Sequence, residues 1–458
     1  MIMILLSLLN VTILLFLLFF DWRHFNKNLL SPGSTFIYFS FLPALSNIYF
    51  SFFQDQFEIH VFGIIAAEYH DYFYVKVALL FTIFGNIITY YGIYIGVLSK
   101  GRITNFVFNR LLVLRGFDTF PNNIVKNNKF VLRAGIIIYF VGIVSYVIFV
   151  NLMGGFYVIW SELYLRSVHN IGLGYLQKFY LISIPLSSLL ILSITLNKSQ
   201  KLLSTVVILI SVIILASTGA RGPVIAFLLS VILLYHYRVK RIVKLFRIKY
   251  GLVALVLIAF IVTMVQFRKE SFEYYLSNPD KLISNSIESF QSAFVGRVGR
   301  IERDIVILKY FEKHDFWFGK SYLGLFAAPI PRTMIQDKPP VDTGMYLRVM
   351  ADGIRVDPPM PVYELDTSSW PEGNWAGYMN WGILGLLLLF GTSGFFLGRL
   401  FGYINRNKYP LVGTCLYATL AIGGAPPLSP YDIVSLLMLF IVFSFWVRFM
   451  RFHKNLIV

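Results

Sequence analysis

Long apolar runs separated by short polar stretches recur down the chain, at about 2–20, 34–53, 76–98, 134–151, 177–196, 202–217, 223–235, 251–266, 378–398, 410–423 and 432–447. A helix rises 1.5 Å per residue, so roughly 20 uncharged residues cover the ~30 Å of hydrocarbon in a bilayer. The pattern predicts an all-α polytopic membrane protein of about 11 transmembrane helices. The seventh and tenth runs are short for a crossing and would tilt or thin the bilayer locally. The first run is not preceded by basic residues or followed by a small-residue cleavage site, and Arg23 and Lys27 come after it, so it reads as an uncleaved anchor.

One polar stretch breaks the rhythm. Residues 267–377 form a single segment with 13 basic and 15 acidic side chains, and a connection that long inside a compact protein usually carries function or structure of its own. Within it Phe294, Val298, Ile301, Ile305 and Leu308 recur at helical spacing, which predicts an amphipathic helix inside Glu288–Asp315. Residues 329–377, rich in Pro, Gly and Asp, read as irregular. The chain thus divides into an N-terminal transmembrane bundle (1–266, about eight spans), a large loop (267–377) and a C-terminal bundle (378–458, about three spans).

Composition agrees with the pattern. Of 458 residues, 57% are hydrophobic and only 14% charged, against about a quarter charged in a soluble domain, which excludes a water-soluble globule. The formal charge of +17 raises the question of nucleic acid, and the placement of the charges answers it. With the N-terminus outside, the segments assigned to the cytoplasm (21–33, 99–133, 197–201, 236–249, 399–408 and 448–458) hold 23 Lys and Arg against only Asp21 and Asp118. The rest of the chain holds 17 basic and 21 acidic residues. That is the positive-inside asymmetry, so the charge is a topological signal and no nucleic-acid partner is expected. It predicts an N-terminus outside, a cytoplasmic C-terminus and a large loop on the outer face of the membrane. The basic run Arg238, Lys240, Arg241, Lys244, Arg247, Lys249 fits that topology and would also attract anionic lipid.

The single Cys415 excludes a disulfide framework and a Cys/His metal cluster. His60, His70, His169 and His314 lack metal-ligand spacing, and Walker, HExxH, GxSxG and GxGxxG motifs are missing. The distinctive polar residues are arginines on the outer side. Arg221 sits in Thr218-Gly219-Ala220-Arg221-Gly222, a turn between two apolar runs. A guanidinium there either snorkels to the interface or grips phosphate oxygens in a bidentate fork. Arg297 and Arg300 lie three apart on one helix side, able to clamp an anion, while Arg300 is equally spaced to pair with Asp304. Pro331-Arg332 and Lys338-Pro339 make a stiff basic stretch. Asp342, Asp352, Asp357, Glu364, Asp366 and Glu372 crowd the same region, any of them a possible base. Tyr157, Trp160, Tyr164, Trp370 and Trp375 suit either sugar stacking or an interfacial belt.

In their order, the Thr218–Gly222 turn, Pro331-Arg332 followed by Lys338-Pro339, and Tyr378-Met379-Asn380-Trp381-Gly382 leading into the next helix resemble the Wzy-type O-antigen or oligosaccharide repeat-unit polymerases, over roughly 300 residues. One departure is Ala376, where relatives often carry a Glu two residues before the Tyr; Glu372 stands one helical turn earlier. The resemblance implies a GT-C-like glycosyltransferase of a bacterial inner membrane that uses no nucleotide sugar, and outer loops with arginines but no Asp-x-Asp or His/Cys cluster point to a metal-independent reaction without cofactor. It would move a growing chain from undecaprenyl diphosphate onto a newly flipped lipid-linked repeat unit. Arg221, Arg297, Arg300 and Arg332 would then hold the diphosphate, with Glu372 or Asp342 as base. Arg166, Lys338, Tyr378, Asn380 and Trp375 would bind substrate. Expected partners are the undecaprenyl diphosphate-linked oligosaccharide, membrane lipid and a chain-length regulator protein. An O-antigen ligase of similar architecture and a lipid-linked oligosaccharide flippase are the alternatives, the latter needing repeated halves and charges within its spans.

Overall fold

The computed structural model describes residues 2–25, 28–53, 72–100, 124–161, 173–194, 197–217, 221–242, 272–278, 280–282, 284–285, 301–330, 334–335, 337–365, 369–370, 372–421 and 428–455. Among the described residues the structure is helical, without strands. In chain order the helices are α1 (Ile2–His24), α2 (Pro32–Phe53), α3 (Tyr72–Leu98), α4 (Ile124–Leu152), α5 (Phe156–Ser161), α6 (Gly174–Leu192), α7 (Lys198–Ala216) and α8 (Arg221–Leu234), the last continued by a π-turn over Tyr235–Val239. They continue with α9 (Phe272–Ser277), α10 (Ile301–Lys313), α11 (Gly324–Ala327), α12 (Gly344–Ala351), α13 (Trp375–Arg406), α14 (Leu411–Leu420) and α15 (Pro430–Asn455).

Eight of these, α1, α3, α4, α6, α7, α8, α13 and α15, are long and apolar enough to cross a membrane, so the chain is a multi-pass membrane protein. Eleven crossings are not reached among the described residues. The second predicted run is α2, a 22-residue helix carrying Pro43. The tenth is α14, whose ten residues rise only ~15 Å. The run at 251–266 lies outside the described residues.

The chain forms two compact units that interleave along the sequence. The first comprises Met1–Leu98, Gln291–Arg399 and Gly423–Leu437; the second comprises Ser99–Phe290, Leu400–Ile422 and Met438–Val458.

In the first unit α1 packs on α2 and α3, and α10 packs on α3 and α12. Lipid offers no hydrophobic drive between helices, so close backbone approach and polar bonds hold them. At the α3–α13 contact a Cβ on Gly394 would meet the Thr89 carbonyl at 2.2 Å, and one on Gly398 the Ile93 carbonyl at 2.0 Å, so only glycine fits. Polar bonds complete the join: Asn86 donates to Asn10 at 3.1 Å, Ser7 and Ser51 meet at 3.0 Å, and Asp21, fully buried in α1, accepts from the Ser31, Ser34 and Tyr90 hydroxyls. One apolar core joins Met3 of α1 and Val75, Ala78 and Leu79 of α3 to Ile301, Ile305 and Leu308 of α10 and Tyr346 and Met350 of α12. The predicted amphipathic helix is therefore present from Ile301 onward; its earlier residues lie outside the described ones. The stretch expected to be irregular throughout holds α12, eight residues that bury Met345, Tyr346, Leu347, Val349, Met350 and Ala351. A helix that short has too few turns to register a period between flanking Pro, Gly and Asp.

In the second unit α4 packs along α6, and α8 along α7 and α14. Buried hydroxyls link the helices: Tyr146 donates to Ser217 at 2.7 Å, Ser188 and Ser211 meet at 2.9 Å, and the Trp446 indole donates to Ser183 at 3.1 Å.

Candidate functional site

Of the residues that the sequence singles out, Asp342, Glu372, Trp375, Tyr378 and Asn380 lie around the start of α13, within the first unit. Glu372 lies in the turn that opens this helix, its carbonyl accepting from the Trp375 N–H at 3.2 Å. Its side chain is turned inward and only 6% exposed. The Thr343 hydroxyl donates to it. Thr343 stands at the N-cap of α12, where a threonine oxygen ordinarily accepts from the helix; here it makes no such cap bond and serves Glu372 instead. Desolvation is the main cause that pushes the Glu372 carboxyl up to about 8, with the negative charges of Asp342 and Asp432 adding to it and the Thr343 bond opposing it. A carboxyl in that range exchanges its proton near neutral pH, as a general acid or base requires.

Asp342 is bound differently. Its Oδ1 accepts from the Gly344 N–H at 3.1 Å, closing a short side-chain turn, and from the Ser369 hydroxyl at 2.8 Å. Asp432, at the start of α15, accepts from Ser429. Tyr322 donates to the Leu428 carbonyl at 3.1 Å, and burial with the charges of Glu372 and Asp432 pushes its phenol well above the ordinary range. Among the described residues no three His, Cys, Asp or Glu side chains are grouped to hold a metal.

The Tyr378–Gly382 motif is a break in α13. Trp381 leaves the helical region, and Gly382 adopts φ 63°, ψ −149°, a conformation essentially confined to glycine. The carbonyls of Met379 and Asn380 are captured by the N–H groups of Trp317 and Phe318 at 3.0 and 2.9 Å. Asn380, fully buried, accepts from the Gly319 N–H at 3.0 Å and donates to the Ser321 hydroxyl and the Ala376 carbonyl, each at 2.8 Å. Its amide is spent on holding residues 317–321 against the first turn of α13. Trp381 stacks on Tyr322 at 5.4 Å. Trp375 and Tyr378 pack in an aromatic group with Phe81, and Tyr378 also meets Phe311 and Phe316.

Lys338 is also buried, its Nζ donating to the carbonyls of Ala328 and Ile330 at 2.9 and 2.6 Å. The face of Trp370 receives the Arg348 guanidinium at 5.7 Å, and Arg348 also pairs with Asp352 at 2.6 Å. Asp357 pairs with Lys320 at 2.8 Å. Of the anion-binding arginines, Arg221 is the first residue of α8; its side chain and the whole of Arg166, Arg297, Arg300 and Arg332 lie outside the described residues. Thr343, Tyr322, Asp432 and the Gly319–Ser321 turn were not marked by any sequence motif. The one clue is spacing: Thr343 directly follows Asp342, and its β-branched hydroxyl precedes the glycine that opens α12.

No family model matches the chain, and comparison with curated proteins and with solved structures gives no match.

Proposed function

We propose that the protein is a membrane-embedded glycosyltransferase that polymerises undecaprenyl diphosphate-linked oligosaccharide repeat units on the periplasmic face of a bacterial inner membrane. The observation that carries the reading is Glu372, a carboxyl buried at the junction of the long loop and a membrane helix, with its proton affinity raised into the physiological range. Transfer needs a group to take the proton of the acceptor hydroxyl as its oxygen attacks the anomeric carbon. The bond from that carbon to the diphosphate oxygen breaks, and its electron pair leaves on the diphosphate. Glu372 in its ionised fraction is suited to the first task. Fixed guanidinium groups suit the second, and Arg221, Arg297, Arg300 and Arg332 are assigned to it on their sequence positions. Lys244 and Lys454 are then cytoplasmic and position 340 periplasmic, in keeping with the placement of basic residues.

The test is reconstitution of the purified protein in liposomes with lipid diphosphate-linked repeat units alone. A ladder of polymer with released lipid diphosphate, formed without nucleotide sugar and in the presence of EDTA, is expected. No polymer in that reaction, but transfer of preformed chain in a parallel reaction supplied with lipid A core, would make the protein a ligase. Polymer that stops with EDTA and resumes with Mg²⁺ would refute the arginine-only mechanism.

A further inference from the structure

The stretch from Trp317 to Ile330 is placed in the long polar loop by sequence, yet its surface is not that of a segment in water. Between Lys320 and Arg332 it carries no charged residue. Three large apolar side chains stand outward: Phe318 at 73% exposed, Leu323 at 48% and Phe326 at 83%. Many of its backbone groups are bonded within the protein, as a dry environment demands. The N–H groups of Lys320, Tyr322, Ala328 and Ile330 bond to carbonyls within the stretch, at 2.9 to 3.2 Å. Gly319 N–H is taken by Asn380. The carbonyls of Ala328 and Ile330, at the end of α11, are met by the ammonium of Lys338, and Pro329 has no N–H to satisfy. The one charge at the start, Lys320, is held to Asp357 at 2.8 Å.

The stretch is also continuous with a surface that must face lipid. A Cβ on Gly319 would lie 3.4 Å from the Trp381 ring, Tyr322 stacks on that ring, and Trp381, Ile383 and Leu384 near the N-terminal end of α13 are themselves exposed. Because α13 is a membrane span, those side chains face hydrocarbon or its boundary. Tyr322 further ties the stretch to Leu428, two residues ahead of α15. It is thereby fixed at the level where two helices meet the bilayer surface.

We infer that residues 317–330 are a membrane-embedded segment, with Phe318, Leu323 and Phe326 inserted into the acyl boundary of the leaflet where α13 begins. The occupant of this apolar face is bilayer lipid. The inference does not depend on the glycosyltransferase reading. Insertion of one short apolar turn flanked by a tryptophan is the mode of interfacial elements, which bury their apolar side ~5–10 Å below the headgroups.

The test uses the full-length protein in nanodiscs holding one protomer each, with Phe326→Cys carrying a nitroxide spin label and Tyr363→Cys, exposed in the same long loop, as the aqueous reference. Native Cys415 is buried and stays in place, with unsubstituted protein treated alike as the background. Power saturation with oxygen and with a water-soluble nickel chelate reads the surroundings. At 326 the oxygen-to-nickel accessibility ratio is expected to exceed that at 363 several-fold. A second label at Leu323 should give the same result. Ratios equal to the reference would show the segment in water, and low accessibility to both reagents would show protein covering it; either result overturns the inference.

Discussion

Replacing Glu372 by Gln tests the electrostatic account of the site at its centre. Gln keeps the shape and the acceptor that Thr343 uses but has no proton to lose. In the folded protein the carboxyl is pushed up to about 8 from an ordinary value of 4.5, mainly by desolvation. Between those two values the unfolded chain carries an ionised carboxylate while the folded chain keeps its proton. The folded state therefore binds more protons, and wild-type stability falls as pH rises through this window. Linkage over pH 6 to 8 gives a loss of about 2 kcal/mol, after which the native group ionises too and the dependence flattens. Glu372→Gln is exempt, so its advantage over wild type should widen by about that amount from pH 6 to 8. Thermal unfolding in micelles at a series of pH values measures it, as a difference in melting temperature that grows by a few degrees. Thr343→Val removes the bond that opposes the shift and should move the wild-type inflection to higher pH. A difference between wild type and Glu372→Gln that is the same at pH 6 and pH 8 would refute the reasoning.

Two further expectations concern the fold around that site. Asn380→Ala removes the side-chain partner of the half-buried Gly319 N–H and of the Ala376 carbonyl, at about 1–3 kcal/mol in all, and should lower the melting temperature, with Asn380→Asp falling between it and wild type. Gly398→Val puts a side chain where the Ile93 backbone lies 2.0 Å from a Cβ and should abolish recovery of folded protein, whereas Gly174→Ala, which meets nothing within 4 Å, should leave the melting temperature unchanged; size-exclusion profiles and melts of the two variants decide this.

Hydropathy made most membrane helices legible because a bilayer imposes one length and one polarity on whatever crosses it. It decides less where those conditions lapse. The run at 410–423 holds α14, ten residues with Leu411 through Ala418 all buried, and by composition alone a buried core helix and a short span read alike. Asp21 was counted as a cytoplasmic charge, yet it is fully buried beneath the Ser31, Ser34 and Tyr90 hydroxyls. One-dimensional charge counting cannot see partners up to 69 residues away. In the long loop the 3.6-residue period was readable in α10, whose thirteen residues show one apolar face, and lost in α12, whose eight residues bury nearly all their side chains.

The site itself was half legible, and the half that was readable has a structural meaning the motif did not disclose. Tyr378-Met379-Asn380-Trp381-Gly382 drew notice as a pattern of residue types leading into a helix; in the structure it is the place where that helix is interrupted so that its carbonyls can bind another part of the loop. Six residues of α13 are consequently pinned at both ends, through Asn380 to Gly319 and Ser321, and through the preceding turn by the Thr343–Glu372 bond. The same arrangement dries Glu372. The raised proton affinity of the carboxyl and the broken helix therefore share one cause: the long loop folds back onto the mouth of α13 and removes both the carboxyl and the first helical turn from water.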